Sequence, residues 1–235
     1  RDHGFSKNIQ PSYDSYDFDI VGKDIIKVLD VLKITKAHFL SLSIGSVILQ
    51  KIDILRPKLI DKMVMAGAIF DGSKFMHAFV HSGKILTYIL PYRVFYSLFS
   101  FIVLPRKNHR LSRYIFRRQS RRMNVVEYLK WIELYKPFFI LIKEYVGRQI
   151  QTPCLVVMGD QDHIFFNSAK KFTELQKNAH LTVIKGCGHV VSIESPKPFN
   201  KIALDFLKGL DVPDSVQSEP VPYKWSDLKE LKARK

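Results

Sequence analysis

The chain has 235 residues, of which 46% are hydrophobic and 25% charged, so it is neither disordered nor fibrous. Its length suffices for one well-packed core carrying an insertion. The formal net charge of +15 favours an anionic partner such as nucleic acid or a lipid surface. Two cysteines exclude a disulfide framework and favour a reducing compartment such as the cytoplasm. The His and Cys residues have no metal-ligand spacing, so we expect no metal and no cofactor.

Helical patterns and uninterrupted apolar strands alternate along the chain. The pattern predicts helices at 16–34, 43–55, 168–177 and 196–210, and strands at Ala37–Leu42, 62–68, 154–158 and 181–184. Strands that are apolar throughout are typical of a parallel sheet with both faces covered. The sequence therefore predicts an α/β fold with a mostly parallel sheet between two layers of helices.

The stretch 37–47 (AHFLSLSIGSV) predicts a strand, a tight turn and a helix, with Ser43 at the turn. A serine on such a bend projects its hydroxyl above the sheet. The backbone N–H of Ile44 then lies at a helix N-terminus, where it can stabilise an oxyanion. Small neighbours at Ser41, Gly45 and Ser46 would let the strand and the helix approach closely. The alternative interpretation of this turn is a solvated or capping serine.

Two further strand-end loops carry groups that could act with Ser43. The strand 154–158 is followed by Gly-Asp-Gln-Asp-His, and the strand 181–184 by Lys-Gly-Cys-Gly-His. The carboxyl ends of parallel strands lie on one rim of a sheet, so these loops should meet. A serine, an acid and a histidine then follow in the order Ser43, Asp162, His189, which favours nucleophilic catalysis. Asp160 and Asp71 are weaker candidates for the acid.

These motifs together resemble the α/β-hydrolase fold superfamily, in the branch of serine hydrolases that carry a cap. The stretch 2–8 (DHGFSKN) resembles the D-x-R-G-x-G-x-S loop, and 41–45 resembles the G-x-S-x-G nucleophile elbow, with Ser41 replacing the first glycine. Residues 159–162 match G-x-x-D and residues 186–189 match G-x-G-H, and Glu194 and Pro196 fit a downstream E-x-P. The resemblance implies Ser43 as nucleophile, His189 as base, Asp162 as acid and Ile44 as one oxyanion donor. Substrate-binding residues are not identified.

The resemblance also implies strands that would precede the first matched loop. The second oxyanion donor of these enzymes comes from a His-Gly type loop located there. We therefore expect a chain that lacks the first strands of the fold, with the strand Ala37–Leu42 exposing an apolar edge. On this expectation, these 235 residues alone would be inactive or poorly soluble.

The chain divides into a predicted core at 1–70 and 150–210, a helical cap insertion at 71–149 and a linker-like tail at 211–235. Within the insertion, 85–104 is apolar and nearly long enough to span a membrane, but Pro91 and Arg93 favour a pair of short helices instead. Residues 125–146 predict further cap helix, broken near Pro137. A short helix is expected from Ser226 within the tail, for which no function is predicted.

The positive charge is concentrated in the insertion. Residues 72–126 contain eleven Lys and Arg and no Asp or Glu. This pattern indicates either a solvated helical face or a surface for an anionic membrane, with Phe95, Tyr96, Phe99 and Phe101 adding apolar contact. No nucleic-acid motif accompanies the charge, so nucleic acid is not expected as a partner.

Two functions of different classes fit the sequence. The first is a serine hydrolase that cleaves a carboxylic ester, or a related acyl bond, of a small or lipid-like molecule. The second is a non-catalytic protein that uses the same scaffold for binding or signalling. A serine nucleophile argues against the aspartate-dependent branches that the resemblance includes.

Overall fold

In the part of the chain that the structure describes, the fold is built on a parallel sheet of five strands. The computed structural model describes residues 1, 5–6, 13, 16–122 (only the backbone for Arg122) and 125–219. The strands are β1 (Ala37–Leu42), β2 (Ile60–Ala66), β3 (Cys154–Gly159), β4 (Ala179–Lys185) and β5 (Ser215–Gln217). They lie in the order β1-β2-β3-β4-β5, and each neighbouring pair is parallel. The predicted parallel sheet is therefore confirmed. The loop 2–8 lies largely outside the described residues, and the predicted helix from Ser226 lies wholly outside them.

The helices between the strands follow the predicted order. They are α1 (Phe18–Val31), α2 (Ile44–Leu55), α3 (Lys74–Ile89), α4 (Tyr92–Val103), α5 (Arg110–Gln119), α6 (Val125–Ile132), α7 (Tyr135–Val146), α8 (Phe166–Leu175), α9 (Val191–Glu194) and α10 (Pro196–Leu207). The one-turn helix α9 has no counterpart in the sequence prediction, because four residues show no helical period.

Alternate residues of the central strands supply two separate cores, one on each face of the sheet. Met63 and Met65 of β2 belong to the larger cluster, which includes residues of α1, α2, α7 and α8. Val64 and Ala66 belong to the second cluster, beneath α10. This alternation follows from the two-residue period of a strand. It explains why β3 and the buried part of β2, residues 63–66, are apolar throughout.

The segment between β2 and β3 is helical, as predicted. Its apolar part 85–104 is divided at Pro91, so that α3 ends at Ile89 and α4 begins at Tyr92. Among the described residues, no helix has the length and apolarity needed to cross a membrane. The helix predicted at 125–146 is broken near Pro137, as expected, but not at the proline itself. The chain leaves the helix at Glu133 and Leu134, and Pro137 lies in the first turn of α7, where its missing N–H costs no helical hydrogen bond.

The beginning of the predicted tail differs from a linker. Residues 215–217 form β5, which pairs with β4 at the edge of the sheet. The N–H of Val183 donates to the carbonyl of Asp214 (2.8 Å), and the N–H of Ser218 donates to the carbonyl of Lys185 (3.0 Å). These bonds use only backbone groups, so a composition rich in proline and charge did not reveal them.

Candidate active site

Ser43 lies on a strained turn between β1 and α2. Its backbone has φ 52° and ψ −123°, a conformation that residues with a side chain rarely adopt. The turn is held from both sides, because the Ser43 N–H donates to the carbonyl of Ala66 (3.0 Å) and its carbonyl accepts from the Ser46 N–H (2.8 Å). Gly45 faces Ser41 across the turn, where an added Cβ would lie 3.6 Å from the Ser41 Cβ. The strand and the helix therefore approach closely, with room for small side chains.

The Ser43 hydroxyl contacts the imidazole of His189, which in turn contacts the Asp162 carboxylate. The distance from Ser43 Oγ to His189 Nε2 is 2.7 Å, and the distance from His189 Nδ1 to Asp162 Oδ2 is also 2.7 Å. Because a carboxylate only accepts hydrogen bonds, Nδ1 carries the proton and Nε2 is free to accept from the serine. Asp162 is fully buried and His189 is 4% exposed. The structure thus brings together the three side chains that the sequence predicted for the site.

The other two candidate acids do not contact His189 in the structure. Asp160 is exposed, and its Oδ1 accepts from the backbone N–H of Gly186 (2.7 Å). Asp71 is half-buried, and its Oδ1 accepts from the N–H of Ser73 near the start of α3 (2.7 Å). Both carboxylates therefore stabilise turns. The second oxygen of Asp162, by contrast, accepts from the N–H of Phe165 (3.1 Å), which fixes the orientation of that carboxylate toward His189.

Two glycines allow the loops to meet. Gly67 has φ +51°, and a Cβ added there would lie 2.4 Å from the carbonyl oxygen of His189. A Cβ at Gly159 would lie 2.3 Å from the carbonyl oxygens of Cys187 and Gly188. Both distances are too short for any side chain. The ends of β2 and β3 therefore touch the histidine loop directly, and this contact sets the position of His189.

The predicted oxyanion donor lies at the start of α2. Ile44 is the first residue of that helix, so its N–H has no partner within the helix and adjoins the Ser43 hydroxyl. The positive end of the helix dipole adds to the donor at this position. A second donor is not assigned among the described residues.

A buried polar cluster, which the sequence did not reveal, joins the insertion to the histidine loop. Glu194 accepts from the Gly188 N–H through Oε2 (2.6 Å) and from the Ser112 hydroxyl through Oε1 (3.0 Å). His109 is fully buried, and its Nε2 lies 3.0 Å from Gln161 Oε1. Gly188 adjoins His189, and Gln161 adjoins Asp162. The cluster therefore links α5 of the insertion to both loops of the site.

The insertion also contacts the site through apolar side chains. Val103 and Leu104, at the end of α4, form a buried cluster with Val190, the residue after His189. On the other side, the Phe165 ring lies 5.0 Å from the His189 imidazole, centre to centre. The imidazole therefore has an aromatic ring beside it in addition to its two hydrogen-bond partners.

Comparison with known proteins finds relatives in sequence and in structure. No family model matches the chain. It is 23% identical over 202 residues to "Putative carbamate hydrolase RutD" of Stutzerimonas stutzeri, which covers 82% of this chain and 74% of that protein. A 61-residue segment is 36% identical to human "Putative protein-lysine deacylase ABHD14B", covering 26% of this chain and 29% of that protein. Among solved structures, the esterase EaEST of Exiguobacterium antarcticum superposes with a TM-score of 0.73 at 19% identity, over 88% of this chain and 79% of that one.

The chain therefore has the α/β-hydrolase fold, as the motifs predicted. The proteins to which it is similar, in sequence and in structure, are hydrolases.

Proposed function

We propose that this protein is a serine hydrolase that cleaves a carboxylic ester, or a related acyl bond, through an acyl-enzyme on Ser43. The observation that carries the proposal is the pair of 2.7 Å contacts that join the His189 imidazole to the Ser43 hydroxyl and to the Asp162 carboxylate. A strained serine at the end of a strand is the arrangement that presents a nucleophile to a substrate.

The roles of the residues follow from their chemistry. Ser43 Oγ attacks the acyl carbon while its proton passes to His189 Nε2, and Asp162 stabilises the imidazolium that forms. The imidazolium then protonates the leaving group, and a water activated by the same nitrogen hydrolyses the acyl-enzyme. We assign the Ile44 N–H to the oxyanion of each tetrahedral intermediate, a donor typically worth about 3 kcal/mol.

The proposed substrate is a small or lipid-like acyl compound. The apolar cluster of Val103, Leu104 and Val190 beside the histidine supports an apolar acyl or leaving group. The relatives are described as acting on carbamates, on acylated lysine and on esters, which are all acyl bonds. The two buried thiols favour the cytoplasm, and the basic insertion favours an anionic membrane surface as the place where such a substrate is met.

The direct test is turnover of a short p-nitrophenyl ester by the full-length protein. Ser43→Ala should reduce hydrolysis to the background rate. Asp162→Asn should lower kcat by about a thousandfold or more, because an amide in place of the carboxylate does not hold the imidazole in the required tautomer. Asp160→Asn is the matched control in the same loop, and it should retain most of the activity.

The pattern across the three variants separates the possible results. Activity that survives in Ser43→Ala removes Ser43 from the mechanism. A loss in Asp160→Asn with none in Asp162→Asn transfers the acid role to Asp160. A full-length protein that is folded but has no activity toward a panel of esters, thioesters and amides would favour the second function, a binding module on this scaffold.

A further inference from the structure

We propose that the insertion docks on an anionic phospholipid surface through the outer face of α4, defined by Val94, Leu98, Phe101 and Ile102. These four side chains are between 46% and 50% exposed. Their spacing places them on one side of the helix. Four large apolar side chains on a single exposed face mark a surface that is covered by a partner.

The opposite side of α4 already has its packing partners. The Phe99 ring lies 6.0 Å from Phe79 of α3 and 6.1 Å from Phe116 of α5, centre to centre. Phe95 is buried, and it contacts α3 at Gly83. The inner side of α4 therefore holds the helix on the insertion.

Basic side chains occur beside the outer face of α4 and in the segments that follow it. The guanidinium of Arg113 lies over the Phe101 ring, 4.9 Å from its centre, and Arg93 is an exposed neighbour of Val94. Arg106, Lys107 and Arg117 are also exposed. With eleven Lys and Arg and no acidic residue, the segment 72–126 presents one sign of charge. An apolar stripe flanked by cations is the pattern of a helix that lies in a lipid headgroup layer.

This combination distinguishes among the occupants of the face. Nucleic acid would use the cations but would leave the apolar stripe without a partner. A second copy of the chain would bury the stripe but would bring two strongly basic segments together. Anionic lipid satisfies both features, since acyl chains receive the apolar side chains and headgroups receive the cations. The twelve residues of α4 are too few to span a bilayer, so the helix would lie along the surface.

The position of α4 connects docking to the proposed activity. Its last residue, Val103, packs with Val190 beside His189, so a membrane at the outer face would lie close to the site. The supply of lipid-like substrate by this route rests on the proposed hydrolase function. Docking itself does not, and Ser43→Ala should bind vesicles as the unsubstituted protein does.

Cosedimentation of the full-length protein with vesicles tests the proposal. Vesicles of phosphatidylcholine alone are compared with vesicles that contain about one-third phosphatidylserine. We expect at least roughly tenfold stronger partitioning onto the anionic vesicles, and a loss of about tenfold in the double variant Leu98→Gln/Phe101→Gln. Leu204→Gln, an exposed leucine of α10, and Lys171→Gln, an exposed cation of α8, are the controls for apolarity and charge. Arg93→Gln should weaken binding, whereas both controls should not.

Several outcomes would overturn the proposal. The first is equal binding of the protein to both kinds of vesicle. The second is unchanged binding by the double variant, once circular dichroism has shown that this variant is folded. A dimer in analytical ultracentrifugation that dissociates in the double variant would assign the outer face of α4 to self-association. Binding of polyadenylate that is lost in Arg93→Gln, without any binding to vesicles, would assign it to nucleic acid.

Discussion

The buried carboxylate of Glu194 offers a specific test of how the insertion supports the site. Its side chain accepts one hydrogen bond from the histidine loop and one from the insertion, at Gly188 N–H and Ser112 Oγ. Glu194→Gln keeps the shape of the side chain but removes its charge. We expect the variant to fold, to be less stable, and to react more slowly at Ser43.

The size of the effect follows from these two hydrogen bonds. A bond to a charged acceptor contributes about 1.5–3 kcal/mol, and a neutral bond about 0.5–1.5 kcal/mol. In the glutamine variant the side-chain oxygen accepts from the Gly188 N–H and the NH2 group donates to Ser112 Oγ, so two charge-assisted bonds become neutral ones. The free energy of unfolding should therefore fall by about 2 kcal/mol. In a chain of this length, that corresponds to a fall in Tm of roughly 4–8 °C. Glu174→Gln, at an exposed carboxylate of α8, is the control and should change stability by less than about 0.5 kcal/mol.

The assay combines equilibrium unfolding in urea with the rate at which a fluorophosphonate labels Ser43. Loosening Gly188 displaces the adjacent His189, so we expect the rate constant in Glu194→Gln to fall by about tenfold to a hundredfold. A purely structural role would lower the fraction of protein that can be labelled, but not the rate constant of the folded fraction. A double-mutant cycle with Ser112→Ala should give a coupling energy of about 0.5–3 kcal/mol.

Two results would refute this reasoning about Glu194. The first is an unchanged midpoint of unfolding together with an unchanged rate of labelling. The second is additive effects of Glu194→Gln and Ser112→Ala, which would mean that the insertion and the histidine loop are not coupled through this carboxylate.

Two further predictions concern how tightly the protein is packed. Gly188→Ala should destabilise the protein and slow the labelling of Ser43, because the added Cβ would lie 2.6 Å from the His109 ring. Gly72→Ala, where the atom nearest to the added Cβ is 3.5 Å away, is the control. Equal midpoints of urea unfolding for the two variants would contradict the close contact at Gly188. The thiols of Cys154 and Cys187 should resist alkylation at pH 8 in the folded chain and should react after denaturation. The reason is that burial raises the pKa of both thiols, and the pKa of Cys187 rises to about 12. Rapid labelling of either thiol in the native protein would argue against this burial.

The proximity of Ser43, Asp162 and His189 could be predicted from the sequence because it depends on local turns and on parallel topology. The apolar run before Ser43 is β1 with the predicted bounds, and α2 begins at Ile44 as expected for a sharp turn. The loop with Asp162 follows β3, which is apolar throughout, and the loop with His189 follows β4, which is apolar only in part. Because the strands are parallel, their carboxyl ends lie at the same rim of the sheet, so the loops that follow them are neighbours.

Other features depend on contacts between distant segments, and these the sequence did not predict. The strand β5 forms by backbone hydrogen bonds, which leave little trace in side-chain composition. His109 and Ser112 lie within a run of basic residues, yet both are buried against the histidine loop. Glu194 belongs to a predicted motif, but its partner Ser112 lies about eighty positions earlier in the chain, and no local pattern predicts that contact. The boundary between cap and core stays a prediction, because α7 of the predicted cap packs directly against α2 of the predicted core.

The central claim is tested most directly by treating the folded full-length protein with a fluorophosphonate and locating the adduct by mass spectrometry. The account predicts a single adduct on the peptide that contains Ser43, absent in Ser43→Ala and formed far more slowly in His189→Ala. Adducts on other serines only, or a Ser43 adduct whose rate of formation does not depend on His189, would contradict it.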